Sequence, residues 1–268
     1  MDPAPTLPTG FDAFLGNAPA VESLRAAIAA GRLPHSLILS GPSGAGKYTL
    51  ALLLAMAVEC QRQPSDLSSS GQPLASFCGV CSNCTRIAAA ANLEEQVAAA
   101  VLAREDLRET DKKETRVLIQ PHPDVLILPP DPPQLLIKLG QVRTLIQRAH
   151  YLPSEAPRKI FILTSAAMMK EAANSLLKVL EEPPDTVLIL ILAENPGELL
   201  PPSARAAAPS ASARFPSKRS NPCSPRAAPK FPPNSALSSP AWRREQPGAP
   251  SPSTSKPTPR PAPTPSSF

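Results

Sequence analysis

SLILSGPSGAGKYTLALLLAMAVEC, residues 36–60, is the stretch that decides the fold. It opens on a short apolar run, Ser36–Ser40, of strand length. It closes on Lys47–Cys60, rich in Ala and Leu, the strongest helix formers. Between them Gly41-Pro-Ser-Gly44-Ala-Gly46-Lys47 fits the phosphate-loop pattern G-x-x-x-x-G-K. The glycines permit a turn whose backbone N–H groups face phosphate oxygens. The helix behind it adds its positive N-terminal end, and the lysine reaches the terminal phosphates. Strand, turn and helix in this order begin a parallel α/β sheet. Gly41, Gly44, Gly46, Lys47 and Thr49 are the residues expected to bind a nucleotide.

The pattern breaks at its next position. A Ser or Thr hydroxyl is needed there for Mg²⁺, and Tyr48 stands instead. Thr49 follows it, but one step along a helix turns a side chain by about 100°. A second element is also missing. ATP hydrolysis on such a loop needs a carboxylate at the end of a buried strand. The best strand for it, Lys159–Leu163, runs into Thr164-Ser165-Ala166-Ala167. The strand Asp124–Leu128 has its acid at the wrong end. ATP with Mg²⁺ is therefore a doubtful cofactor, no residue is assigned a catalytic role, and an ATPase activity of the chain's own is not expected.

Working outward, Val21–Ala30, Leu139–Arg148 and Lys170–Glu181 carry helical apolar spacing, and Val187–Ala193 is a buried strand. Gln61–Phe77 reads as a loop, and Thr85–Asp111 as one or two helices. His122 is expected in a turn before a strand, and Lys112-Lys113 on a solvated helix face. The apolar strands do not alternate, as in a parallel sheet covered on both faces.

Cys78-x2-Cys81-x2-Cys84 follows this helix, with Cys60 upstream. Such spacing brings thiolates round one tetrahedral Zn²⁺ at about 2.3 Å. An iron–sulfur cluster and free thiols are the alternatives. No redox-partner motif favours the cluster, so zinc is expected, with Cys60, Cys78, Cys81 and Cys84 as ligands. Cys60 lies farthest from the others in sequence, and Cys223 stands alone.

Composition changes near residue 200. Residues 201–268 hold ten Lys and Arg against one acid and 18 of the 37 prolines, while residues 1–200 carry a net charge of −4. So many prolines with so few apolar side chains predict a disordered tail. No apolar run reaches the roughly 20 residues of a membrane span, and Met1–Gly10 lacks a signal-peptide pattern. A cytoplasmic protein with reduced thiols is expected.

These pieces, in their order, resemble one family. A P-loop, a four-Cys module behind its helix, His122-Pro123-Asp124, Ile137-Lys-Leu139, and then Ala173-Asn-Ser-Leu-Leu-Lys-Val-Leu-Glu-Glu-Pro-Pro184 are similar to the AAA+ domain of bacterial clamp-loader subunits, over about residues 11–201. The degenerate P-loop and the His-Pro-Asp triplet resemble the delta-prime type of DNA polymerase III. The resemblance implies residues 1–200 as an AAA+ domain with the zinc module, 60–84, inserted. It implies gamma/tau and delta subunits as partners, with the sliding clamp and primed DNA reached through the complex and no membrane. It also implies an Ile-Arg-Ser-Arg-Cys motif after Pro201, an arginine offered to a neighbour's ATP, and a collar domain beyond.

The chain reads Pro202-Ser-Ala-Arg-Ala-Ala207 there. Those residues can be encoded as CCATCCGCTCGCGCTGCC, which two nucleotides along reads Ile-Arg-Ser-Arg-Cys. The expectation is a frameshifted tail over 201–268, a truncated subunit, and no finger role for Arg205. Two other readings suit the same residues. One is an active P-loop ATPase using Thr49 and an unrecognised acid. The other is a zinc-dependent nucleic-acid-binding module gripping phosphate with its basic tail.

Overall fold

The apolar runs of the sequence stack side by side in one sheet. The structure, a computed structural model, describes residues 7–108, 116–195 and the backbone of 211–214. Its strands are β1 (Ser36–Ser40), β4 (Ile119–His122), β5 (Val125–Leu128), β6 (Lys159–Leu163), β7 (Val187–Ala193) and β8 (Ala211–Arg214), in the order β4-β5-β6-β7-β1-β8. β2 (Ser65–Leu67) and β3 (Pro73–Ala75) form a separate hairpin. Neighbours from β5 to β8 are parallel, and β4 is antiparallel to β5. Every residue of β1, β5, β6 and β7 is buried, so their unbroken apolar runs have physical cause: both faces are covered.

Alternate residues feed two cores. Leu37, Leu39, Ile160, Ile162, Leu188 and Leu190 face α1 (Ala18–Ala29), α2 (Lys47–Glu59) and α3 (Ser82–Ala88). Ile38, Phe161, Leu163, Ile189 and Ile191 face α5 (Leu139–Ala149) and α6 (Lys170–Glu181). α2 is buried at every position from Leu50 to Glu59. A helix apolar all round has to be enclosed, and here the sheet lies on one side and the cysteine segment on the other.

The mixed α/β fold with its mostly parallel sheet is the one expected. The local differences have local causes. α1 starts at Ala18, ahead of its apolar stripe, because the Asn17 side chain accepts a hydrogen bond from Ala20 N at 3.3 Å and caps the helix. Gln61–Phe77, read as a loop, holds the β2–β3 hairpin. Its three-residue strands are too short to show a period, and α1 holds them through Arg25, whose Nε donates to Ala75 O at 2.8 Å. Thr85–Asp111 splits into α3 and α4 (Leu93–Glu105), the latter capped by Asn92 and without a buried residue. His122, expected in a turn, ends β4 and is 1% exposed.

The stretch 201–268, expected to lack structure throughout, contains β8. Ala211–Arg214 falls in a proline-free window between Pro209 and Pro216, so its backbone can complete a ladder with β1. Its other residues, Cys223 among them, and Lys112-Lys113 lie outside the described residues.

Candidate nucleotide pocket and cysteine site

The glycine-rich turn sits where β1 hands over to α2. Gly41 N donates to Ala193 O at 3.1 Å, which fixes the start of the turn against the end of β7. Gly44 and Gly46 have φ of +73° and +79°, a left-handed backbone that L side chains rarely adopt. A Cβ on Gly46 would also come within 3.1 Å of the Phe14 ring. Lys47 Nζ donates to Gly41 O at 2.6 Å and Pro42 O at 2.8 Å, so the turn is closed around its own lysine.

A cavity of about 830 Å³ opens over this turn. Gly44, Gly46, Lys47 and Thr49 line it, while Gly41 anchors the turn from behind. Its far wall is Thr164–Ala167, the continuation of β6, and this wall has no carboxylate. Tyr48 donates its hydroxyl to Ala90 O at 2.6 Å, and burial pushes that hydroxyl well above the usual phenol range. The residue at the magnesium position is thus spent on holding the α3–α4 turn. Sequence reasoning missed Glu94, from the first turn of α4, and Glu194, which follows β7. Both line the cavity. Glu194 stands directly after the apolar run Val187–Ala193, a strand end of the kind where such an acid belongs, and that was the signal available for it, whereas no local signal marks Glu94.

The cysteine site lies at the other end of α2. One sulfur from each of Cys60, Cys78, Cys81 and Cys84 falls within 4.8 Å of the others, so the four can hold a metal ion. None of them is in a disulfide. Cys78 N donates to Cys60 Sγ at 3.4 Å, and Cys81 N to Cys78 Sγ at 3.3 Å. Such N–H donors favour thiolate. The Val80 N–H leads in bringing Cys78 down. Burial pulls Cys81 upward, but N–H groups of Cys84 and Gln61 outweigh it and bring it to about 6. Burial raises Cys84. A set of four close sulfurs with backbone donors fits a thiophilic divalent ion and leaves no position open for substrate.

The site is fused to the core. Cys60, Cys81, Cys84 and Phe77 pack into the same apolar cluster as α2, and Phe77 meets Phe11 edge to face at 5.5 Å. Asn83 Nδ2 donates to Glu59 O at 2.9 Å, closing α3 onto the end of α2. Beneath lie the buried side chains of Glu59, His122 and Asp124. Asp124 accepts from Ser154 N and Glu155 N, each at 2.7 Å, and Asp124 N donates to His122 Nδ1 at 3.1 Å. Burial, and then the Asp124 carboxylate, push Glu59 up to about 9. Burial, and then Arg86, hold the His122 ring below its usual range. No role in chemistry follows for His122, whose contacts join β4 to β5.

A phosphate-loop turn on a mostly parallel sheet, with a four-cysteine insert behind its helix, defines the class: an AAA+ type α/β domain. The chain belongs to the DNA polymerase III, delta subunit family, whose model matches residues 16–203. It is 30% identical over 168 residues to DNA polymerase III subunit delta' of Pseudomonas aeruginosa, covering 62% of this chain and 39% of that one. The same subunit of Bacillus subtilis is 30% identical over 170 residues, 63% and 39% of the two chains. Subunit gamma/tau of Mycobacterium tuberculosis is 28% identical over 195 residues, 72% and 27%. A gamma-subunit-related protein of Thermotoga maritima superposes with a TM-score of 0.41 at 19% identity, over 72% of this chain and 45% of that one. The chain thus spans well under half the length of the curated relatives it matches. Among the described residues, no helix is long and apolar enough to cross a membrane.

Proposed function

We propose that this chain is a clamp-loader subunit of the delta-prime type, which serves DNA replication by its place in a complex rather than by turning over ATP itself. One observation carries the reading. The cavity has the backbone of a phosphate site, but Tyr48 is bonded to Ala90 at the magnesium position, and the end of β6 offers no acid. Gly41, Gly44, Gly46, Lys47 and Thr49 are the residues that would hold a nucleotide, with no matched ligand pair for Mg²⁺. Its partners would be gamma/tau and delta subunits, with the sliding clamp and primed DNA contacted through the assembly, in the cytoplasm, where thiols stay reduced. Zn²⁺ is the proposed occupant of the four cysteines, where it would supply a structural cross-link. Residues 1–200 would be the family domain, and the frameshift reading of 201–268 stands or falls with the gene sequence.

The test is steady-state ATP turnover by the purified chain, alone and with gamma/tau, delta, clamp and primed DNA. No turnover above blank by the chain alone, with co-purification of the partner subunits, supports the proposal. Turnover by the chain alone that is lost in Lys47→Ala overturns it. Glu194 favours that second reading, an active ATPase, because it brings a carboxylate to the cavity wall beside β7. Loss of turnover in Glu194→Gln would then assign the acid.

A further inference from the structure

α4 has no buried residue, yet it is fastened at both ends. At its start, Tyr48 holds Ala90 at 2.6 Å, and the Asn92 side chain accepts from Glu95 N at 3.3 Å. Near its end, Arg104 Nη1 lies 2.6 Å from Asp131 Oδ1, and Asp131 is fully buried after β5. Leu93 and Val97, both partly buried, add apolar contacts with the core, so the helix is held by its first turns together with the ties at its two ends. These contacts set its first turn, Leu93 and Glu94, at the wall of the phosphate-loop cavity.

The charge there is the wrong one for a phosphate site. The cavity's other wall supplies Lys47 and the N-terminus of α2, both suited to an anion. Glu94 brings a carboxylate to the lining of the same cavity, where Glu194 adds a second from the end of β7. Like charges a few ångströms apart repel, and the repulsion shrinks as salt screens it.

We propose that α4 is an anionic strap across the phosphate-loop cavity, and that Glu94 weakens the binding of nucleoside triphosphates there. This rests on the reading of the cavity as a nucleotide site. The strap gives the segment 92–108 a role that neither the sheet nor the cysteine site supplies. It also gives the hydroxyl of Tyr48 a purpose, since that bond sets the turn from which α4 departs.

The test is equilibrium binding of a fluorescent ATP analogue to the full chain, at low and high salt, for wild type, Glu94→Gln, Glu94→Lys and Lys47→Ala. Glu94 is exposed, so these variants do not disturb the core. The expected result is affinity rising about three-fold in Glu94→Gln and about ten-fold in Glu94→Lys at low salt, with both gains shrinking at high salt. Equal or weaker binding by the Glu94 variants, with binding still lost in Lys47→Ala, overturns the strap and leaves the nucleotide site standing. No binding by wild type or by either Glu94 variant overturns both. A gain that does not change with salt also overturns the strap, because packing rather than charge would then carry it.

Discussion

The phosphate-loop cavity and the cysteine site stand at opposite ends of one helix. α2 begins at Lys47 and ends at Glu59, and Cys60 caps it. Its N-terminal end keeps a backbone shaped for phosphate, with Gly44 and Gly46 left-handed, while the side chains that would hold magnesium are replaced. Its C-terminal end has a complete donor set, four sulfurs within 4.8 Å of one another. The two ends differ in what their surroundings require. The cysteine segment is part of the core that packs α2, so its loss strips the helix of one wall. The cavity is open space, and no packing depends on its chemistry.

The largest effect should come from breaking the cysteine end. Cys84 is fully buried within the core cluster, and Cys84→Ser removes a ligand as well as an apolar contact. Metal binding by such sites is coupled to folding. With an ion shared by the four thiols, the variant should fail to hold it and melt about 10 °C lower, the shift expected for a few kcal/mol in a domain of this size. Elemental analysis and circular dichroism melts would check this, and chelator treatment of wild type should reproduce it. An unchanged melt would mean that the four thiols do not share a structural ion.

A smaller change should follow at the joint between the site and α2. Asn83→Ala leaves the buried Glu59 carbonyl without its 2.9 Å donor. The expected cost is about 1–3 kcal/mol, seen in urea denaturation, with metal content kept. The smallest effect belongs to the other end. Tyr48→Phe removes one hydrogen bond, to Ala90 O, and should cost about 1 kcal/mol without touching the metal. If Tyr48→Phe instead proved as damaging as Cys84→Ser, the two ends of α2 would be equally built into the core, and the contrast between them would fail.

Much of this protein is written locally. The order strand, glycine turn, helix at 36–59 follows from apolar runs and from positions where only glycine suits the backbone. The cysteine spacing Cys78-x2-Cys81-x2-Cys84 brings sulfurs together within a few residues, β6 and β7 are unbroken apolar runs, and α6 carries a helical period long enough to read. What stayed hidden is made of short or distant pieces. The β2–β3 hairpin and β4 have too few residues for a period, and β8 depends on the open edge of β1. Glu94 and Glu194 come to the cavity only because α4 is tied down by Tyr48 and Arg104, and because parallel pairing sets the end of β7 beside β1. Glu59, His122 and Asp124 meet because α2 packs on α3 and α3 packs on β4. Periodicity and spacing are properties of neighbours along the chain, so the sequence by itself determined the class of fold and the two candidate sites. Which charges enter the cavity, and what the cysteine site rests on, are set by contacts between residues far apart in the chain, and only the tertiary structure decided them.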